Sequence, residues 1–106
     1  MRALVVDDSR TMRRIVANIL TTLGYREVHQ AENGQQALEV LDQLDAAPDL
    51  ACIDWNMPVM DGLTFVTHVR KRPDCAATTL MMVTTESEHG QIVRALAAGA
   101  HEYLTK

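Results

Sequence analysis

Two apolar patterns alternate along the chain. Ala3-Leu4-Val5-Val6 is a short continuous run, as expected of a strand covered on both faces. It breaks at Asp7-Asp8-Ser9, after which Met12, Ile15, Val16, Ile19, Leu20 and Leu23 recur at helical spacing. Ser9 is placed to cap that helix and Gly24 to stop it. A weaker strand follows over residues 27–31. The turn Glu32-Asn33-Gly34 then leads to a helix with Ala37, Leu38, Leu41 and Leu44 on one side, closed before Pro48.

The alternation continues to the end. Leu50-Ala51-Cys52-Ile53 predicts a buried strand that stops at Asp54. The loop from Trp55 to Gly62 holds Met57-Pro58 and Asp61-Gly62, both turn-forming pairs. Leu63, Val66 and Val69 mark a third helix ending before Pro73, and Leu80-Met81-Met82-Val83 a fourth strand ending at Thr84. Ile92 and Leu96 belong to a fourth helix stopped by Gly99, and Tyr103-Leu104-Thr105 to a fifth strand. The order β-α-β-α-β-α-β-α-β predicts one α/β domain over residues 1–106, with a doubly wound, five-stranded parallel sheet and helices on both faces.

Composition narrows the function. With 106 residues, 47% hydrophobic and 23% charged, the chain suits a single soluble globular domain. A net charge of −4 argues against non-specific nucleic-acid binding, which needs a basic face. No apolar run reaches the ~20 residues of a membrane span, and no secretory leader precedes the first run, so no membrane association and a cytoplasmic location are expected. Cys52 and Cys75 lack metal-knuckle or disulfide spacing, and Cys52 reads as a small core residue. The four histidines form no ligand pattern.

Parallel strands share a carboxyl edge, where ligand sites form in such sheets. The residues following the strands are Asp7 and Asp8, then Asp54, Thr84 and Lys106. Three carboxylates in one place repel, and a hard divalent cation such as Mg²⁺ relieves the repulsion. Asp54 can then act as a nucleophile that forms an aspartyl phosphate, with Lys106 and the Thr84 hydroxyl on phosphoryl oxygens. Taken singly, each has a plainer explanation. Asp7-Asp8 suits a helix start, Thr84 suits a cap, and Lys106 suits a solvated tail. It is their convergence that favours a site.

The motifs Leu4-Val5-Val6-Asp7-Asp8-Ser9, Thr11 through Val16, Asp54-Trp55-Asn56-Met57-Pro58-Val59-Met60-Asp61-Gly62, Met82-Val83-Thr84 and Tyr103 through Lys106 resemble the response-regulator receiver domains, above all stand-alone chemotaxis members. The resemblance spans nearly the whole chain and implies a flavodoxin-like fold. It implies that Asp54 is the phosphoacceptor, and that Asp8, Asp54 and the backbone carbonyl of Asn56 hold Mg²⁺ while Asp7 acts mainly through water. Thr84 and Lys106 would contact the phosphoryl group, Tyr103 would be the switch aromatic, and Asn56 and Glu86 would tune dephosphorylation. Trp55 is expected either partly exposed beside the metal or in the core.

The implied partners are a sensor histidine kinase as donor and a protein target such as a flagellar motor switch protein. Such a chain catalyses only its own phosphorylation and dephosphorylation. The family normally continues beyond the lysine with a proline and a fifth helix. A 106-residue chain is therefore expected to expose apolar surface on the face of the first helix and to self-associate or fold marginally. A Mg²⁺-dependent phosphohydrolase with an aspartyl-phosphate intermediate is one alternative, and a non-phosphorylated adaptor or fragment is another. A nucleotide-binding fold is disfavoured, because no glycine-rich phosphate loop follows the first strand.

Overall fold

The computed structural model describes the backbone of residues 1–84 and 89–105 and the side chains of residues 1–83 and 93–101. Its strands are β1 (Arg2–Val6), β2 (Glu27–Ala31), β3 (Leu50–Ile53), β4 (Thr79–Thr84) and β5 (Glu102–Thr105). The helices between them are α1 (Arg10–Thr22), α2 (Gly34–Gln43), α3 (Gly62–Arg70) and α4 (His89–Ala98). A 3₁₀ turn at Pro73–Cys75 precedes β4. All strand pairs are parallel, in the order β2-β1-β3-β4-β5. The chain steps from β1 to β2 on one side and then crosses to β3 on the other, so the strand order reverses between β1 and β3.

Local chemistry sets the helix starts. Ser9 Oγ accepts from Met12 N–H, Asn33 Oδ1 from Gln36 N–H at 2.8 Å, and Asp61 Oδ1 from Thr64 N–H at 2.8 Å. Each cap satisfies a donor that the first helical turn leaves orphaned, worth about 1 kcal/mol. Ser9 and Asn33 follow closely on β1 and β2, and the loop after β3 brings Asp61-Gly62 back against Asp54, so α1, α2 and α3 set out from the carboxyl edge of the sheet. Gly24 (φ 106°) and Gly99 (φ 122°) follow α1 and α4 in the left-handed region that glycine tolerates.

Strand periodicity divides the core into two unequal parts. Leu4, Val6, Ala51, Ile53, Leu80 and Met82 point to the side covered by α2, α3 and α4, where they pack with Ala37, Leu41, Phe65, Val66, Val69 and Ala95. On the other side Ala3, Val5 and Cys52 meet Leu20 of α1, a much smaller cluster. The helical pattern of α1 is as expected, yet of its large apolar residues only Leu20 is buried, while Ile15, Ile19 and Leu23 stand exposed. Beside them lies an apolar groove of about 380 Å³ floored by Leu50, Cys52, Met81 and Val83. Cys52 is buried, as its apolar setting predicts.

Arg70, at the end of α3, ties the connection before β4 to the one before β5. Its guanidinium donates to the carbonyls of Gly99 (2.9 Å), Cys75 (3.2 Å) and Thr78 (2.7 Å), and sits 3.3 Å from Nδ1 of His101. That same nitrogen accepts from Leu80 N–H at 3.1 Å, which requires it to be unprotonated in this arrangement.

Candidate functional site at the carboxyl edge of the sheet

The ladder runs one residue past each of the two central strands. Val6 pairs with Ile53, and beyond them Asp7 N–H donates to Ala31 O (3.1 Å) and Asp54 N–H to Val6 O (2.8 Å). These bonds fix Asp7 and Asp54 side by side at the point where the strand order reverses, the position at which open α/β sheets bind ligands. Carboxylate oxygens of Asp7, Asp8 and Asp54 all lie within 4.8 Å of one another. Asp7 and Asp54 are buried and Asp8 is exposed, so the group opens to solvent on the Asp8 side. Two buried carboxylates at such a separation repel by roughly 3 kcal/mol at an effective dielectric near 20.

Neighbouring backbone steadies the acids. Asp7 Oδ1 accepts from Ser9 N–H at 2.9 Å, and Arg13 donates to the Asp7 carbonyl at 2.7 Å. Asp54 Oδ1 accepts from the N–H of Trp55 at 2.9 Å. These contacts orient the carboxylates without neutralising them. The donor set is all oxygen, two members are nearly dry, and one faces water; such a set suits Mg²⁺, which prefers carboxylates and keeps several waters.

The loop after Asp54 is held tightly. Gly62 N–H donates to Trp55 O at 2.9 Å, and a Cβ on Gly62 would lie 2.1 Å from the carbonyl oxygen of Asp54. Glycine here is thus a matter of close approach between the start of α3 and the end of β3. Met60 N–H reaches Pro58 O at 2.7 Å, a tight turn centred on Val59, whose φ of 70° is unusual for a β-branched residue. Gly34 N–H bonds Met60 O, which fastens the loop to the start of α2.

Asp7, Asp8 and Asp54 are brought together as anticipated, and Asn56 lies exposed two residues beyond Asp54. Thr84 closes β4 beside Thr105 of β5, and Tyr103 pairs with Met82, which fixes their backbone positions; their side chains lie outside the described residues, as do Glu86 and Lys106 altogether. One open alternative is decided. Trp55 is only 7% exposed: it belongs to the larger core, and Arg94 of α4 stacks over its ring at 5.7 Å, which removes the partly exposed alternative. Sequence reasoning also passed over Arg94, Arg70 and His101, because single polar residues on a helix or loop carry no periodic signal.

Comparison with known proteins agrees with this arrangement. The family model for the response regulator receiver domain matches residues 3–106. Helicobacter pylori chemotaxis protein CheY1 is 44% identical over 106 residues, covering 100% of this chain and 85% of that protein. The structure of the Vibrio cholerae chemotaxis response regulator CheY4 superposes with a TM-score of 0.89 at 37% identity, over 99% of this chain and 85% of that one. The Thermotoga maritima response regulator TrrA, crystallised in complex with Mg²⁺-BeF, superposes with a TM-score of 0.83 at 31% identity, over 99% of this chain and 85% of that one. With the family matched over nearly its full length and an acidic cluster at the switch point of the sheet, the chain belongs to the response regulator receiver domains, signalling domains of two-component systems whose general property is phosphorylation on an aspartate.

Proposed function

We propose that this receiver accepts a phosphoryl group on Asp54 from a sensor histidine kinase of the CheA-like type and thereby switches a protein-binding surface, in chemotaxis or motility. The observation that carries the proposal is the convergence of Asp7, Asp8 and Asp54 within 4.8 Å. The chemotaxis assignment is supported by the CheY1 and CheY4 relatives. The recipient of the signal is then a protein such as a flagellar motor switch component.

In the transfer, a carboxylate oxygen of Asp54 attacks the phosphorus of a phosphohistidine. The new O–P bond forms as the N–P bond breaks, and the electron pair returns to the imidazole nitrogen. Oδ1 accepts from Trp55 N–H, which orients the carboxylate for that attack. Mg²⁺, held by Asp8, Asp54 and the Asn56 carbonyl with Asp7 behind, would offset the charge of three carboxylates and an incoming phosphoryl group. The Mg²⁺-BeF complex of TrrA supports this choice of ion. Thr84 and Lys106 contact the transferred group, Tyr103 responds to Thr84, and Asn56 and Glu86 influence the water that later hydrolyses the phosphoaspartate. The parallel pairing of β4 with β5 supports the Thr84–Tyr103 link, because it sets their backbones on adjacent strands.

The apolar strip of Ile15, Ile19 and Leu23 supports self-association through the α1 face. A single monomeric species in sedimentation at every concentration tested would remove that part of the proposal. The central claim is tested by intact-mass spectrometry after incubation with Mg²⁺ and acetyl phosphate. One phosphoryl adduct is expected, dependent on Mg²⁺ and absent from Asp54→Asn. A folded wild-type sample with no adduct refutes phosphoryl acceptance, and sustained turnover of a phosphate ester would favour a hydrolase instead.

A further inference from the structure

Trp55 is the chain's single tryptophan and stands at a junction. Its N–H holds Asp54 Oδ1, its carbonyl accepts from the first residue of α3, and its buried ring lies under the guanidinium of Arg94 on α4. Arg94 itself is exposed. A planar cation over an indole face is the favourable geometry for cation–π attraction, and it restrains the ring from one side while the core restrains it from the other. The backbone of Trp55 cannot shift without moving either the ring against Arg94 or the clasp on Asp54.

We propose that Arg94 is a positioning residue. By stacking on Trp55 it holds the N–H that clasps Asp54, and so couples α4 to the carboxylate cluster. The inference rests on the reading of Asp54 as the phosphoacceptor and deepens it. Coupling is reciprocal: if the stack favours the ligand-ready arrangement of Asp54, a ligand at Asp54 favours the stack, and α4 senses occupancy through Trp55.

Positioning and simple charge predict opposite signs. If Arg94 were only a nearby cation, its removal would relieve repulsion and tighten Mg²⁺ binding. If it positions Trp55, its removal loosens the clasp and weakens binding, by about two- to five-fold for an exposed cation–π contact. The experiment compares wild type, Arg94→Met and Arg94→Lys in samples shown to be folded by circular dichroism. Mg²⁺ is titrated by calorimetry, Trp55 emission is recorded with and without the ion, and the acetyl-phosphate adduct is followed by mass.

The expected result is an altered Trp55 emission in Arg94→Met, weaker Mg²⁺ binding and slower adduct formation, each largely restored in Arg94→Lys. Equal or tighter Mg²⁺ binding in Arg94→Met overturns the proposal. A wild type that binds Mg²⁺ but forms no adduct removes the phosphoacceptor reading alone, and the Mg²⁺ affinities still decide the role of Arg94. A wild type that does neither sinks both.

Discussion

Replacing Gly62 with alanine adds one carbon where the structure leaves no room. The new Cβ would fall 2.1 Å from the carbonyl oxygen of Asp54, 2.9 Å from its carbonyl carbon and 2.9 Å from Cε of Met82. Even a close C–H···O contact needs about 3.3 Å, so the end of β3 and the start of α3 must separate by about 1 Å. The Met82 methyl can yield; the Asp54 backbone cannot, because its N–H is bonded to Val6 O. Alanine normally improves a helix by ~0.5–1 kcal/mol over glycine, but overpacking costs about 1–3 kcal/mol or more, leaving a net loss near 1–2 kcal/mol. For a domain of this size that lowers Tm by about 5–15 °C.

The effect on chemistry should be larger than the effect on stability. A reacting group displaced by about 1 Å loses on the order of 100-fold in rate. Gly62→Ala is therefore expected to form the acetyl-phosphate adduct far more slowly than wild type at a temperature where both are folded. Gly24→Ala is the control. Its Cβ meets nothing within 4 Å, but φ is 106°, so it should lose about 1–2 kcal/mol of stability with no change in adduct rate. The reasoning fails if Gly62→Ala melts and reacts like wild type, or if Gly24→Ala slows the reaction equally.

Three other residues offer tests of the same geometry. Arg70→Met removes the guanidinium donor from the carbonyls of Gly99, Cys75 and Thr78, and should cost about 2–4 kcal/mol in urea titrations; an unchanged midpoint would contradict the linking role. Val59→Gly should raise stability by about 0.5–1 kcal/mol, since it relieves a positive φ at an exposed side chain with no packing to lose; a lower Tm would refute the strain. Burial pushes the Cys52 thiol up to about 11, so the native protein should resist thiol labelling near neutral pH and label readily once unfolded. Because the folded value lies above the unfolded one, this group's contribution is intact below the unfolded thiol range and is lost as pH rises towards 11. Cys52→Ala should therefore flatten the alkaline decline of the urea midpoint.

Much of this arrangement was legible in the residues because it is periodic or topological. Continuous runs such as Ala3–Val6 and Leu50–Ile53 report strands buried on both faces, and the residues following them must share an edge, which locates Asp7, Asp8 and Asp54 without coordinates. Ser9 announces its cap by type and place. The illegible features depend on contacts distant in sequence or on single dihedrals. Trp55 reads equally well as exposed or buried until Arg94, 39 positions on, is seen over its ring. Gly62 reads as a turn glycine, whereas its actual constraint is the Asp54 carbonyl. No pattern marks Arg70, whose partners lie in two separate connections, one before β4 and one before β5.

The unequal core explains why the site and the apolar α1 strip can be perturbed separately. Asp7 follows Val6, and Asp54 lies between Ile53 and Trp55; all three apolar neighbours belong to the cluster shared with Phe65, Val66 and Val69. The acids are thus anchored on the side that α2, α3 and α4 cover. On the α1 side the buried residues are Ala3, Val5, Leu20 and Cys52, with partly buried neighbours such as Val16 and Tyr25 around them and Ile15, Ile19 and Leu23 left in solvent. Burying or uncovering that strip changes how much apolar area the fold removes from water, and hence its stability, at roughly 25 cal/mol per Å². Val6, Ile53 and Trp55, which flank the acids, have no part in that strip. The apolar anchoring of the strand ends therefore comes from the α2, α3 and α4 side, while the start of α1 reaches the site through polar contacts of Ser9 and Arg13 with Asp7, and its apolar strip bears mainly on how firmly the domain stays folded.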